Sequence, residues 1–327
     1  MRALLNYKSF ADLSDDVLHS LYKIPADIDL IVGVPRSGVM VASVMALNLN
    51  VRFCDLGAFL RNDLLQTGST RTARGGHIVC AQDAKNVLVV DDSIYTGEAL
   101  DAVRAQIKAC SYSGKVTYMA FYATAGSTRK ADVYAQVVPM PRLFQWNICH
   151  RKDLATFCFA IDGVLCEPPS EADQNDNVRY NNFITNARRL MVPSYKVGYV
   201  VTSRPERYRR QTELWLAQNG IAYQQLYMLD LPAESRAGKI AFKARIYASL
   251  PNAVLFVESD HMQAVAIANL SGKPVLDFGN QIMLSPHVSV ALLKNKARDI
   301  VSNSGRLPRR VGNKLKKLLP SRLRSPT

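Results

Sequence analysis

The sequence predicts an α/β protein of two domains, each built on a parallel β-sheet, followed by a basic helical tail. Three observations predict it. Short apolar runs alternate with helical patterns from Asp29 to Ala123, and the alternation resumes at Leu154 and runs to Val257. Strands that alternate with helices pair in parallel beneath helices on both faces. Residues 291–327 carry eleven Lys/Arg and one acid, which is +10 of the net charge of +14. The basic character therefore belongs to the tail and not to the body. The boundaries expected are 1–150, 151–290 and 291–327, and 327 residues are enough chain for two ordinary cores.

In chain order, strands are expected at Asp29–Val34, Val51–Asp55, Asn86–Val90 and Val116–Ala123, with helices at Val39–Leu49 and Glu98–Ala109. The second series places strands at Thr156–Ala160, Lys196–Thr202 and Ala253–Val257, and helices at Arg207–Asn219, Gly238–Ser249 and Met262–Leu270. The junction at Ile148–Asp153 lacks a Gly/Pro/Ser linker, so the two units are expected to pack directly. The six cysteines form no CxxC pair and no zinc spacing, and read as free thiols of a reducing cytoplasm. No secretory pattern opens the chain, and the longest apolar stretch, Val39–Val51, is interrupted by Asn48 and Asn50 and too short to span a bilayer.

The most specific segment is residues 87–99, VLVVDDSIYTGEA. Four apolar residues make a buried strand, two acids stand at its carboxyl end, and a loop with Thr96 and Gly97 leads into a helix. Ligands of open α/β sheets bind beyond the carboxyl ends of the strands. Backbone N–H groups at a helix start suit a phosphate, and a glycine lets the backbone approach it closely. Adjacent carboxylates can accept hydrogen bonds from the two hydroxyls of a ribose.

This segment resembles the signature of type I phosphoribosyltransferases, which bind 5-phosphoribosyl-1-pyrophosphate (PRPP). The resemblance implies that Asp91 and Asp92 hold the ribose and that Ser93, Ile94, Tyr95, Thr96 and Gly97 surround the 5-phosphate. It also implies Mg²⁺, which accompanies the departing pyrophosphate. Where the family places its pyrophosphate loop, this chain has DLIVGVPRSG, so Pro35, Arg36, Ser37 and Gly38 are the candidates, with Arg36 the charged contact. The polar stretch 64–76, with Arg71 and Arg74, corresponds to the flexible flap that shields the reacting centre from water. It lacks the lysine of orotate enzymes. Purine-type members carry an aspartate where this chain has Tyr95, which argues against a 6-oxopurine acceptor. Phe144 and Trp146 are either core or the wall of an acceptor pocket.

The run TFCFAIDGVLCEPPS, residues 156–170, resembles the first motif of haloacid-dehalogenase-type (HAD) phosphatases, Asp-x-Asp-Gly-[Thr/Val]-Leu. The resemblance implies a Rossmann-like sheet and a site made of the position of Ala160, where the family has its nucleophilic aspartate, with Asp162 as acid/base and metal contact. Thr202 and Ser203 would bind the phosphoryl group, with Lys243 as the phosphate-binding lysine and Lys239 the runner-up. Glu258 and Asp260 would complete the Mg²⁺ set with Asp162. Ala160 is either natural, leaving a phosphate-binding or structural relic, or a substitution that disables the enzyme. The intact flanking motif favours the second. In either case this chain cannot form an aspartyl-phosphate there.

Leucines and a valine at roughly four-residue spacing from Leu307 to Leu323, between basic residues, predict an amphipathic helix for an anionic membrane surface. Nucleic acid is the weaker partner, because no aromatic residue follows Phe278 for stacking. Together the parts resemble bifunctional enzymes that build ribofuranose into bacterial surface polysaccharides. The expected activity is transfer of 5-phosphoribosyl from PRPP to a glycan, lipid-linked acceptor with inversion to a β-ribofuranoside. Removal of the 5-phosphate would follow, a step disabled by Ala160. The expected location is the cytoplasm, peripheral on the inner face of the membrane. The alternatives are an orotate-type nucleobase enzyme with an accessory HAD domain, and a PRPP-sensing regulator that binds nucleic acid through the tail.

Overall fold

The computed structural model describes residues 5–66, 68, 70, 73–74, 78–230 and 236–286. The basic tail and Arg71 lie outside the described residues.

The first half contains β1 (Asn6–Lys8), α1 (Phe10–Ser20), β2 (Leu30–Gly33), α2 (Ser37–Leu49), β3 (Arg52–Asp55), α3 (Leu56–Leu60), β4 (Asn86–Ser93), α4 (Glu98–Ala109), β5 (Lys115–Ala123), β6 (Val133–Val137) and β7 (Arg142–Phe144). A five-stranded parallel sheet runs in the order β3-β2-β4-β5-β6. Alternate residues of each apolar run enter opposite layers. Leu30, Val32, Val87 and Val89 pack with Leu100, Val103 and Ile107 of α4. Ile31, Leu88 and Val90 pack with Leu13 and Val17 of α1 and with Val41 and Met45 of α2. A strand covered on both faces has no polar side to show, so it reads as a continuous apolar run.

The second half contains β8 (Phe157–Phe159), α5 (Glu171–Gln174), α6 (Asn177–Asn186), β9 (Val197–Pro205), α7 (Arg209–Gln218), β10 (Tyr223–Leu229), α8 (Arg236–Ser249), β11 (Leu255–Glu258), α9 (His261–Ser271), β12 (Val275–Asp277) and β13 (Ile282–Leu284). Its sheet has the order β10-β9-β8-β11-β12-β13, parallel except for the last pair. Phe157, Phe159, Trp215, Tyr247 and Phe256 fill its core.

The two sheets meet at a two-stranded parallel ribbon, β1 with β7. The alternation along β7 divides it: Leu143 enters the core of the six-stranded sheet and Phe144 that of the five-stranded one. Ile148 and Cys149 continue into the six-stranded sheet's core, and the Tyr7 hydroxyl donates to Oε1 of Gln281. All six cysteines are unpaired.

Among the described residues, the strands and helices expected from periodicity are present; the helix expected in the tail lies outside them. Those the sequence did not disclose are helices α1 and α6 and strands or helical turns that are short or lie at edges. In β6, Tyr134 and Gln136 face solvent, so the strand lacks an apolar signature. Helix α1 carried a legible signal in Ser9 and Asp12, which form a reciprocal capping box.

Candidate functional site

Strand β4 delivers Asp91 and Asp92 to the carboxyl edge of the five-stranded sheet. The chain then leaves through Ser93–Gly97 and enters α4, with Gly97 at its N-cap. Gly97 has φ +93°, a left-handed conformation in which a side chain is strained, and a Cβ would strike the side chain of Lys130. Lys130 Nζ donates to the Thr96 carbonyl. Ile94 is buried, and its carbonyl accepts from Arg142 Nη2 (2.8 Å) and Ser127 Oγ (3.2 Å). Tyr95 and Thr96 are exposed. The inner end of the loop is thus pinned and its outer turn faces solvent beside the start of α4, where free N–H groups suit an anion.

The second loop lies against the first. Gly33 is in register with Val90, and Val34 N donates to the Val90 carbonyl (2.9 Å). Gly38, at the start of α2, sits so close that a Cβ would be 2.5 Å from the Val90 oxygen and 3.1 Å from Asp91 Cα. Only glycine permits that approach. Pro35 and Arg36 are exposed and Ser37 half-buried. Arg36 Nη2 donates to Oδ1 of Asn147. Arg74 is exposed and its N–H donates to the Asn50 carbonyl (2.7 Å).

Burial shapes the acid pair. It pushes Asp91 up to about 7, with the neighbouring Asp92 charge adding to the shift. Asp92 is raised as well, mainly by burial, against the opposing pull of the Trp146 hydrogen bond and the Arg142 charge. Trp146 Nε1 donates to Asp92 Oδ2 at 2.7 Å. Trp146 stacks on Phe144 (4.9 Å, 12°) and meets Phe10 at 5.7 Å, while Phe144 is buried in the core. Asp91 and Asp92 stand in no ion pair among the described residues. Two crowded, desolvated carboxylates are suited to hydroxyl donors and a divalent cation, so the donor set fits Mg²⁺ carried in with a pyrophosphate ester.

A second constellation lies at the carboxyl edge of the six-stranded sheet. Asp162, Thr202, Ser203, Lys239, Lys243, Glu258 and Asp260 line one cavity of about 450 Å³. Residues scattered over nearly 100 positions are gathered there because β8, β9 and β11 end on the same side. Pro168, Pro169, Gln174 and Tyr180, from the segment that includes α5 and α6, form the far wall. Ala160 is buried between Phe159 and the cavity-lining Ile161, its N–H donating to the Val257 carbonyl (3.0 Å).

The expected Mg²⁺ set of Asp162, Glu258 and Asp260 is not assembled. Arg204, fully buried, grips Asp162 (Nη2–Oδ1 2.6 Å, Nε–Oδ1 3.1 Å). Lys243 Nζ pairs with Glu258 (2.7 Å) and Arg236 with Asp260 (2.7 Å). Asp260 also caps α9 by accepting from Gln263 N. Among the described residues no three acidic, His or Cys side chains converge on a metal position. Each acid already has a cation, so as placed these residues do not fit a metal ion. Sequence reasoning missed Arg204, Arg236 and Tyr180 here, and Lys130, Arg142 and Asn147 at the first site. Arg204 directly follows Ser203 on β9, and Arg142 and Asn147 flank Phe144 and Trp146, all beside residues the sequence had marked, whereas Lys130, Tyr180 and Arg236 are brought in by chain folding.

Residues 3–149 match the family model for the phosphoribosyl transferase domain. Among curated proteins, the transcriptional regulator GfcR 1 of Methanosarcina barkeri is 36% identical over 104 residues, which is 32% of this chain and 50% of that protein. GfcR of Methanosarcina mazei is 35% identical over 104 residues, with the same coverage. The chain thus spans about half the length of the curated relatives it matches. Among solved structures, it resembles a xanthine-guanine-hypoxanthine phosphoribosyltransferase of Helicobacter pylori (18% identity, 44% of this chain, 93% of that one, TM-score 0.34). It also resembles an orotate phosphoribosyltransferase of Aeropyrum pernix (15% identity, 39% and 71%, TM-score 0.27).

Proposed function

We propose, from the phosphoribosyl transferase domain at residues 3–149, that this chain transfers 5-phosphoribosyl from PRPP to a hydroxyl of a lipid-linked glycan. The observation that carries this reading is the abutment of two loops. The Asp91–Gly97 loop and the Pro35–Gly38 loop meet through Gly38 and the Val90–Asp91 backbone, so ribose, 5-phosphate and pyrophosphate groups of one molecule have neighbouring places. The C1–O bond to pyrophosphate breaks, the acceptor oxygen bonds to C1 from the opposite face, and its proton passes to solvent water. Asp91 and Asp92 hold the ribose hydroxyls, and Arg36 takes the charge of the leaving group. Asp91 and Asp92 would hold Mg²⁺ brought in with the pyrophosphate, and the ion would supply charge neutralisation.

Three features support a carbohydrate acceptor. Tyr95 replaces the aspartate that purine enzymes use, and the flap sequence lacks the lysine of orotate enzymes. The second cavity belongs to what we read as a HAD-like domain at 151–290, suited by Thr202, Ser203 and Lys243 to the 5-phosphate that such a transfer leaves behind. The tail at 291–327, with +10 charge, suits an anionic membrane surface where lipid-linked acceptors reside. Incubation with PRPP, Mg²⁺ and candidate acceptors (glycolipids, orotate, purines) tests this by product mass. The expected result is pyrophosphate release and a glycolipid heavier by one phosphoribosyl group. Turnover of orotate or purine alone would overturn the acceptor.

Because Asp91 ionises near neutrality, kcat/KM for PRPP should fall about tenfold per pH unit below about pH 7. The carboxylate, not the acid, accepts the ribose hydrogen bonds. A flat profile from pH 5 to 8 would contradict that role.

One observation favours a second reading, a PRPP-responsive regulator: the curated relatives at 34–36% identity are named transcriptional regulators. Salt-sensitive nucleic-acid binding altered by PRPP, with no pyrophosphate released, would support it.

A further inference from the structure

The 3₁₀ turn Gln145–Asn147 touches both halves of the donor site. Trp146 donates its indole N–H to Asp92 Oδ2 (2.7 Å), and Asn147 Oδ1 accepts from Arg36 Nη2. The turn is itself held from three sides. Gln145 Oε1 accepts from Phe10 N (2.8 Å). Trp146 lies between Phe10 and Phe144 at 5.7 and 4.9 Å. The next residues, Ile148 and Cys149, are buried in the core of the six-stranded sheet, where the Cys149 carbonyl accepts from Ser194 N (2.9 Å).

These contacts have a consistent chemistry. Arg36 is exposed and would otherwise sample many rotamers, and ordering such a side chain opposes binding. An N–H on one oxygen of Asp92 orients the carboxylate and fixes which of its lone pairs remain for the ligand. One rigid turn thus sets both groups in advance of the ligand.

We propose that Trp146 and Asn147 are positioning residues for the phosphoribosyl donor, holding the ribose-binding carboxylate and the pyrophosphate-binding guanidinium at the spacing one donor molecule requires. The inference rests on the reading of the 91–97 and 35–38 loops as a donor site. Neither residue touches the reacting atoms; each acts through a neighbour.

The test is calorimetric titration of the full chain, with Mg²⁺, using three probes: PRPP, pyrophosphate and ribose 5-phosphate. Trp146→Phe keeps the stacked ring and removes the N–H. Asn147→Ala removes the acceptor, and Asn147→Asp restores one. Each of the first two variants should weaken PRPP by about tenfold, the worth of one hydrogen bond to a charged group. The fragments should divide: Trp146→Phe weakens ribose 5-phosphate and spares pyrophosphate, Asn147→Ala does the reverse, and Asn147→Asp binds like the parent. Equal weakening of both fragments by both variants, or PRPP binding unchanged in both, would overturn the positioning role. A parent protein that binds PRPP no better than it binds ribose 5-phosphate would overturn the donor-site reading itself.

Discussion

Replacing Asp91 and Asp92 together by asparagine should abolish phosphoribosyl transfer and, above pH 7, make the protein more stable. Two charge-assisted hydrogen bonds to ribose hydroxyls contribute about 1.5–3 kcal/mol each, so their loss corresponds to roughly 10²–10⁴-fold in kcat/KM. The gain in stability follows from the same crowding. Burial raises the folded-state Asp91 from 3.8 to about 7, so the folded protein holds that proton more tightly than the unfolded chain. Stability from this group is complete below about pH 4 and declines as pH rises to about 7. Above pH 7 the full penalty of two neighbouring buried charges is present, and asparagine removes it. The shift sets an upper limit of about 4 kcal/mol, and part of it is lost to solvent and relaxation, so about 1–3 kcal/mol is expected at pH 8. Urea unfolding at pH 8 and pH 4.5 checks the sign: the stabilisation should be large at the first and small at the second. Transfer within twofold of the parent would remove these residues from the site.

Introducing a carboxylate by Ala160→Asp should convert a product that keeps its 5-phosphate into a plain ribofuranoside plus inorganic phosphate. A methyl group has no lone pair to attack phosphorus, whereas an aspartate just past β8 would carry one two residues before the cavity-lining Asp162. Attack forms an acyl-phosphate bond as the ester P–O bond breaks, the sugar oxygen takes a proton, and water then cleaves the acyl phosphate. Loss of a nucleophile costs an enzyme roughly 10³–10⁶-fold, so the difference between the two proteins should be close to all or none. The products should differ in mass by one phosphate. Absence of phosphate release from the Ala160→Asp protein would mean that the second cavity does not serve the transferase product. Release by the parent at an enzymatic rate would mean that position 160 is not the nucleophile's.

Much of this molecule could be read from its sequence because its central strands are covered on both faces. Leu30–Gly33 and Val87–Val90 are uninterrupted apolar runs; Asp91 and Asp92 follow the second directly, and Arg36 and Ser37 come soon after the first, where a parallel sheet exposes its ligand-binding edge. Strand, turn and helix are adjacent in sequence there, so local chemistry alone marked Asp91–Gly97 and Pro35–Gly38 as candidates. Ala160, Asp162, Thr202, Lys243 and Glu258 were marked as candidates by the HAD resemblance, each at or beside the end of a strand or on a following helix.

Only tertiary structure decided which charges meet. Asp162 reads in the sequence as an acid/base and metal contact, yet Arg204, 42 residues away and fully buried, occupies it. Glu258 and Asp260 read as metal ligands, yet Lys243 and Arg236 lie against them. Trp146 and Asn147 stand in no motif. They reach Asp92 and Arg36 because β7 pairs in parallel with β1 and carries the next turn over the edge of the first sheet. The physical reason is one of range. Hydrophobic periodicity and turn chemistry act between residues a few positions apart and leave their mark in the sequence itself, whereas ion pairs and hydrogen bonds between distant segments depend on which strand ends the sheet order places side by side.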